Sequence, residues 1–328
     1  MPKYDVITLG SATLDVFVYT KNQDLIKVSG LDKRDLMAYP IGSKILIDEL
    51  HFSIGGGSTN TATAFARLGL KTGCVCRLGN DDNSKHVLDF LKKEGIDFLG
   101  VQGEGYTDYS IILNSIAHDR TILTYKGQSN KLKFSDINAS KLNTRWFYLG
   151  TMTGASFRCL EEFCAYASKN NALVAFNPST YLAEKGLRFL SKVLKKTAVL
   201  VLNDEEAALL TGKKGIPEML RALHKSGPGI VVITEGEKGA HASDGNSLYF
   251  APAFKVKVVE STGAGDAFAS TFVAGLAQRK PIEQALMMAM TNATSVITHP
   301  GAKEKLLTTG EMSTIMKKTK YSLEKQPL

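Results

Sequence analysis

One segment of the chain combines residue types and spacing suited to phosphoryl chemistry: Ser261-Thr262-Gly263-Ala264-Gly265-Asp266-Ala267-Phe268. Its two glycines and an alanine leave backbone N–H groups open to an anion. The apolar stripe Phe268, Phe272 and Leu276 then marks a helix, so these groups lie at a helix amino terminus, where the dipole also favours negative charge. Asp266 falls in the first helical turn. There it can take the proton of an attacking hydroxyl while the backbone donors neutralise the equatorial oxygens of the phosphoryl group. A plain tight loop followed by a favourable first-turn acid has the same local grammar, and the short pattern alone does not separate the two.

Other candidates recur just after apolar, strand-like runs. Asp15 follows the run 6–9 and the turn Gly10-Ser11-Ala12-Thr13-Leu14. This is where a parallel sheet places ligands, and a carboxylate there accepts hydrogen bonds from two neighbouring hydroxyls. A turn aspartate is the alternative. In Gly55-Gly56-Gly57-Ser58-Thr59-Asn60 the polar trio either binds a ligand or caps the helix that follows. Asn203-Asp204-Glu205-Glu206 follows the run 199–202. Its hard oxygens suit Mg²⁺, although acids also favour any helix start. Thr234-Glu235-Gly236-Glu237-Lys238-Gly239 follows the run 230–233, and that placement strengthens an otherwise weak glycine pattern.

Taken together these segments resemble the ribokinase-like carbohydrate kinases of the PfkB family, over nearly the whole chain. The resemblance implies ATP and Mg²⁺ as cofactors, Asp266 as catalytic base, and Gly263, Ala264 and Gly265 as the anion hole. It implies acceptor binding by Asp15, Gly55, Gly56, Gly57 and Asn60. On the nucleotide side it implies Asn203 and Glu206 acting through magnesium and its waters, the Thr234, Gly236 and Gly239 loop, and Asn292 beside the adenine. Gly69, Gly79 and Asp81 match the family's amino-terminal signature, whose later glycine is here Ser84. In the carboxy-terminal signature Glu260 and Ser261 stand where the family commonly has aspartate and threonine. That aspartate helps form a monovalent-cation site in many members, so Glu260 keeps the charge with one more methylene and leaves K⁺ activation open.

Several elements must position these residues. Near-continuous apolar runs at 6–9, 73–76, 173–176, 199–202 and 230–233 read as strands buried on both faces, and most precede helical stripes such as Ala62, Phe65 and Ala66 or Val87, Leu88 and Leu91. The expected fold is α/β, a mostly parallel sheet flanked by helices. Two stretches depart from it. Pieces at 16–19 and 44–47 flank a charged segment, and pieces at 109–113 and 121–125 flank the polar turn His118-Asp119-Arg120. They predict a small β lid inserted twice, at 13–53 and 105–127, into a main domain of 1–12, 54–104 and 128–328. A homodimer through that lid is a further expectation.

The chain has 328 residues, 44% of them hydrophobic, enough for a large core without disulfides or structural metal. Its four cysteines lack zinc-site spacing and read as buried thiols. No secretory leader or membrane-length apolar stretch is evident, which predicts a cytoplasmic protein. The formal charge of +8 comes from scattered lysine pairs without interleaved aromatics, so nucleic acid is not expected as a partner. Gly212-Lys213-Lys214 lacks the rest of a Walker A loop, and the turn after the first strand lacks the G-x-G-x-x-G of a dinucleotide site. A sugar- or nucleotide-binding protein without turnover is the remaining alternative, which the presence of Asp266 disfavours. The resemblance, together with an Asp15 that welcomes hydroxyl donors, implies an acceptor that is a small sugar or nucleoside phosphorylated on an exocyclic hydroxymethyl. Lys44, Arg120 and Lys126, in or beside the lid, keep a sugar phosphate as the alternative acceptor.

Overall fold

The computed structural model describes residues 2–20, 24–28, 34–114, 120–299, 301–319 and 321–328. Its main sheet has ten strands, running in space from Asp97–Phe98 through Thr72–Val75, Tyr4–Leu9, Thr144–Leu149, Leu173–Phe176 and Val199–Asn203 to Ile230–Thr234, all parallel. Gly239–Ser243, Ser247–Pro252 and Glu324–Pro327 then extend it in antiparallel fashion. Alternate residues of the central strands enter opposite layers. Ile7, Leu9, Phe147, Leu149, Leu200 and Leu202 pack in one core with Phe163 and Leu220. Val6, Trp146, Tyr148, Val199 and Val201 pack in the other with Phe268 and Phe272. This two-sided burial explains why the runs are nearly all apolar rather than alternating.

The strand Tyr4–Leu9 lies between Thr72–Val75 and Thr144–Leu149. Sequence order therefore runs outward from it in both directions, and the position beyond its carboxyl end is the general location of ligands in such sheets. The chain leaves this point through Gly10 and enters a separate four-stranded sheet of Arg120–Tyr125, Asp108–Asn114, Thr13–Tyr19 and Glu49–Gly55. Both stretches set apart by their sequence pattern contribute to it. The second strand of the first stretch differs from expectation: 44–47 carries no strand, and Leu46 and Ile47 are exposed. The ladder starts at Glu49 because Leu50, Phe52 and Ile54 then fall opposite Val18, Val16 and Leu14, and a one-residue slip would turn the buried Ile54 and Leu14 to the wrong face. The charged segment between them forms a hairpin of Asp24–Val28 and Arg34–Ala38. His118 and Asp119 lie outside the described residues, as does the side chain of Arg120.

Two acids, Asp108 and the half-buried Asp81, pin this sheet to the main domain. Asp108 is fully buried and accepts the backbone N–H groups of Gly127, Gln128 and Ser129 together with the Ser129 hydroxyl. Asp81 caps the helix Asp82–Lys93 through the Ser84 N–H and accepts both the N–H and hydroxyl of Thr107. Among the described residues, no helix is long and apolar enough to cross a membrane.

Candidate active site

Asp266 stands on the first turn of the helix Ala264–Ala277, whose cap, Gly263, has φ +79. A side chain at Gly263 would be strained there and would also collide with Ala302. Gly265 faces open space, and the first N–H groups of this helix have no partner within it. The Ala264 N–H reaches back to the Ser261 carbonyl at 3.3 Å. Burial raises the pKa of Asp266, partly offset by a hydrogen bond from Asn60 and by the charge of Lys303. The Asn60 Nδ2 donates to Asp266 Oδ2 at 2.8 Å, while Asn60 Oδ1 is buried without a partner. Asn60 therefore lies inside the helix Gly57–Arg67 and does not cap it; the cap residue is Gly56, at φ +93.

The glycines preceding Asn60 do different things. A Cβ on Gly55 would overlap the Asp15 carboxylate, and one on Gly56 would strike the backbone of Ser11 and Ala12. At Gly57 the nearest atom to an added Cβ is Asp266 Oδ1, at 4.0 Å. Gly55 and Gly56 let the chain close on itself, and Gly57 keeps room beside Asp266. Asp15 pairs across the lid with Ser53 and Ser110, so the three share one face of the sheet. Burial pushes its carboxyl up to about 6, against the pull of the Ser110 hydroxyl and of Lys303 and Lys126.

Lys303 escaped the sequence reading. It sits in Gly301-Ala302-Lys303-Glu304-Lys305, which has the look of a solvated charge run, and its neighbour Lys305 carries nothing to distinguish the two. Yet Lys303 is only 3% exposed and donates to Thr59 Oγ1 at 3.0 Å. Burial brings its pKa down to about 7, opposed first by Asp15 and Asp266.

Asn203 and Thr234, which the resemblance assigns to the nucleotide, are register partners at the carboxyl ends of adjacent strands. Asn203 Oδ1 accepts the Glu206 N–H at 2.7 Å, and Glu206 Oε2 accepts the Asn203 N–H at 3.1 Å. This reciprocal capping box holds the helix Asp204–Thr211. Burial raises the pKa of Glu206, offset by bonds from Asn203 and Thr180. Gly239, at φ +125, is forced by its approach to Ala251, whereas Gly236, at φ +54, borders open space. Asn292 is placed inside the protein: it is fully buried, donating to Thr271 Oγ1 at 2.7 Å and accepting the Leu307 N–H at 2.9 Å. Its amide is thus used within the fold instead of facing the cleft. Glu260 Oε2 accepts the Gly301 N–H at 2.9 Å, and its Oε1 is buried without a partner.

This chain belongs to the pfkB family of carbohydrate kinases, whose model matches residues 23–309. It is 28% identical over 274 residues to a cytidine kinase of Thermococcus kodakarensis, covering 80% of this chain and 92% of the relative. It is 26% identical over 314 residues to a ribokinase of Bacillus subtilis, covering 95% and 99%. An E. coli chain of ribokinase type, solved in complex with ATP and Mg²⁺, has the same fold, with a TM-score of 0.78 at 18% identity over 96% of this chain and 99% of that one. The protein is accordingly a carbohydrate or nucleoside kinase of this family.

Proposed function

We propose that the protein transfers the terminal phosphoryl group of ATP to the exocyclic hydroxymethyl of a small neutral sugar or nucleoside, with Asp266 as the general base. The observation that carries this reading is the Asp266 carboxylate itself, set on a glycine-bounded helix terminus and bonded by Asn60 at 2.8 Å. A base held there takes the acceptor proton while the N–H groups of Gly263, Ala264 and Gly265 stabilise the phosphoryl oxygens. Asp15, aligned with Ser53 and Ser110, receives acceptor hydroxyls, and Asn60 Oδ1 offers a further unpaired acceptor. The small sheet covers this side and excludes water from the transfer.

Thr234 and Gly236 border the nucleotide phosphates in this reading. Mg²⁺ supplies charge neutralisation on the phosphates when bound. Glu206, already committed to Asn203 and Thr180, serves that ion through water, and among the described residues no cluster of three or more His, Cys, Asp or Glu side chains offers a direct site. The unpartnered Glu260 Oε1 fits a monovalent cation such as K⁺, so Glu260 keeps that assignment. A sugar phosphate is the less favoured acceptor: Lys44 is exposed, Lys126 is drawn toward Asp108 at 3.8 Å, and Lys303 is bonded inside. We further infer a homodimer through the outer lid face, where Leu50, Phe52, Leu123 and Tyr125 are exposed together.

The test is a Mg²⁺-dependent phosphorylation screen of ribose, fructose, cytidine, adenosine, 2-keto-3-deoxygluconate and fructose phosphates, with product masses. Products from the neutral acceptors are expected. Activity confined to the phosphorylated sugars would overturn the neutral-acceptor reading, and ATP binding without any product would favour a binding protein. Sedimentation of the wild type and Phe52→Glu tests the dimer; an unchanged monomer in both would remove it.

A further inference from the structure

Three consecutive residues, Gly301, Ala302 and Lys303, touch three parts of the site. The Gly301 N–H is bonded to Glu260, Ala302 packs where a side chain on Gly263 would stand, and the Lys303 ammonium donates to Thr59, next to Asn60. The Thr59 hydroxyl in turn reaches the Gly55 carbonyl at 2.6 Å and the Gly56 carbonyl at 3.0 Å. Lys303 is held firmly at its own end. Its carbonyl accepts from Arg67 Nη1 at 2.9 Å, Arg67 grips Glu94 through two bonds, and the ammonium lies 4.7 Å from the centre of the Phe90 ring.

We propose that Lys303 is a positioning residue for phosphoryl transfer: its ammonium, bonded to Thr59 between the Gly55 that abuts the Asp15 carboxylate and the Asn60 that bonds Asp266, pins the 55–60 turn and serves as the internal counter-charge of the two acids. This rests on the kinase reading given above. A buried ammonium costs the fold stability unless it is paired, so its retention beneath the acceptor site needs a compensating role. The mechanism supplies one. Asp15 must be ionised to receive acceptor hydroxyls while Asp266 is ionised to take a proton, and two like charges in a dry cleft oppose each other.

The groups acting on Lys303 come from every side. Asp15 lies on the strand Thr13–Tyr19, Asp266 on the helix Ala264–Ala277, Cys74 on the strand Thr72–Val75, and Glu94 just after the helix Asp82–Lys93; Arg67 stands beside Glu94. Asp15 also feels Ser110, Lys126 and Glu260, and Asp266 also feels Asn60 and itself raises the pKa of Tyr148. Lysine is the cation common to both acids: it holds down the pKa of each. Met at this position keeps the length and removes both charge and hydrogen bond. Gln removes the charge but keeps a donor for Thr59.

The experiment is a carbon-13 carboxyl NMR titration of the full chain without ligand, with Asp15→Asn and Asp266→Asn assigning the two resonances. In both Lys303→Met and Lys303→Gln the two midpoints should rise by about one unit or more, the usual effect of losing a nearby opposite charge. Kinetics with ribose and cytidine as probes, from pH 5 to 7, where Lys303 still carries its charge, should show the acidic limb of kcat moving up in both variants. The acceptor KM should rise only in Lys303→Met. Wild-type midpoints in either folded variant would overturn the shared counter-charge, and an unchanged KM in Lys303→Met would overturn the pinning. Shifted midpoints in a protein that phosphorylates nothing would instead remove the kinase assignment and leave the charge coupling standing.

Discussion

In the region proposed to hold the acceptor, Asp15, Asp266 and Lys303 are each held where burial opposes their charge, and Asn60 keeps one buried oxygen unpaired. In the region proposed for the nucleotide, Asn203 and Glu206 satisfy one another, Gly239 fills a packing need, and Asn292 spends its amide on Thr271 and Leu307. Groups left strained or unpaired are available to a ligand. Groups already satisfied serve the fold first and a ligand only through what they leave over. The contrast agrees with the proposed placing of the chemistry at Asp266, and it can be tested by substitutions in each group.

The largest effect is expected at the base. Asp266→Asn should lower kcat by about 10²–10⁴-fold, the usual loss when a general base is removed, while the amide still accepts from Asn60 and the melting temperature stays close to wild type. Near-wild-type turnover would remove Asp266 from its role and with it the contrast between the two sides. Asp15→Asn should raise the acceptor KM by about 10–100-fold, the worth of a hydrogen bond to a charged group, without changing the KM for MgATP. An equal rise in both constants would show that the acid shapes the whole cleft.

Glu206→Gln tests the satisfied side. Glutamine preserves a capping box, so stability should hold. Productive MgATP use should fall by about tenfold, as for other residues that support a metal through its surroundings. Full activity and unaltered Mg²⁺ dependence would leave Glu206 a capping residue alone. Asn292→Ala should cost about 1–3 kcal/mol of stability, because it strands a buried hydroxyl and N–H, with the KM for MgATP unchanged. A large rise in that KM would show that the buried amide serves the nucleotide after all.

The smallest effect is in the pH dependence of unfolding. Between about pH 7 and 10.5 the unfolded chain binds a proton at Lys303 that the folded chain does not, so stability should rise with pH through that window. Asp15 acts lower and in the other direction. Between pH 3.8 and about 6 the folded chain holds its proton and the unfolded chain has released it, so stability should fall as pH rises there. Urea midpoints across pH 7 to 10 should flatten in Lys303→Met relative to wild type. Parallel curves would mean that Lys303 is not the group responsible.

The local chemistry was legible where one segment carries its own physics. Gly263 to Asp266 reads as a helix start because glycine spacing and the stripe from Phe268 lie side by side in the chain, and the apolar runs read as central strands because both their faces are buried. The lid register was less legible: Leu46 and Ile47 are as apolar as Leu50 and Phe52, and only the buried pairing of Ile54 with Leu14 decides where the ladder begins. The functions of individual glycines were also hidden. Nothing local shows that Gly55 yields to Asp15 while Gly57 leaves space beside Asp266.

What the sequence by itself determined was the set of short segments whose conformation and charge are written within a few residues: strand, glycine turn, helix start and the acid upon it. Only the tertiary structure decided which polar groups are consumed by the fold and which remain for chemistry. Asn292 and Lys303 are the clearest cases. The burial of each, and the bonds of Asn292 to Thr271 and Leu307 and of Lys303 to Thr59, depend on residues distant in the chain. Desolvation is a property of everything that surrounds a side chain, and a linear pattern of neighbours does not contain it.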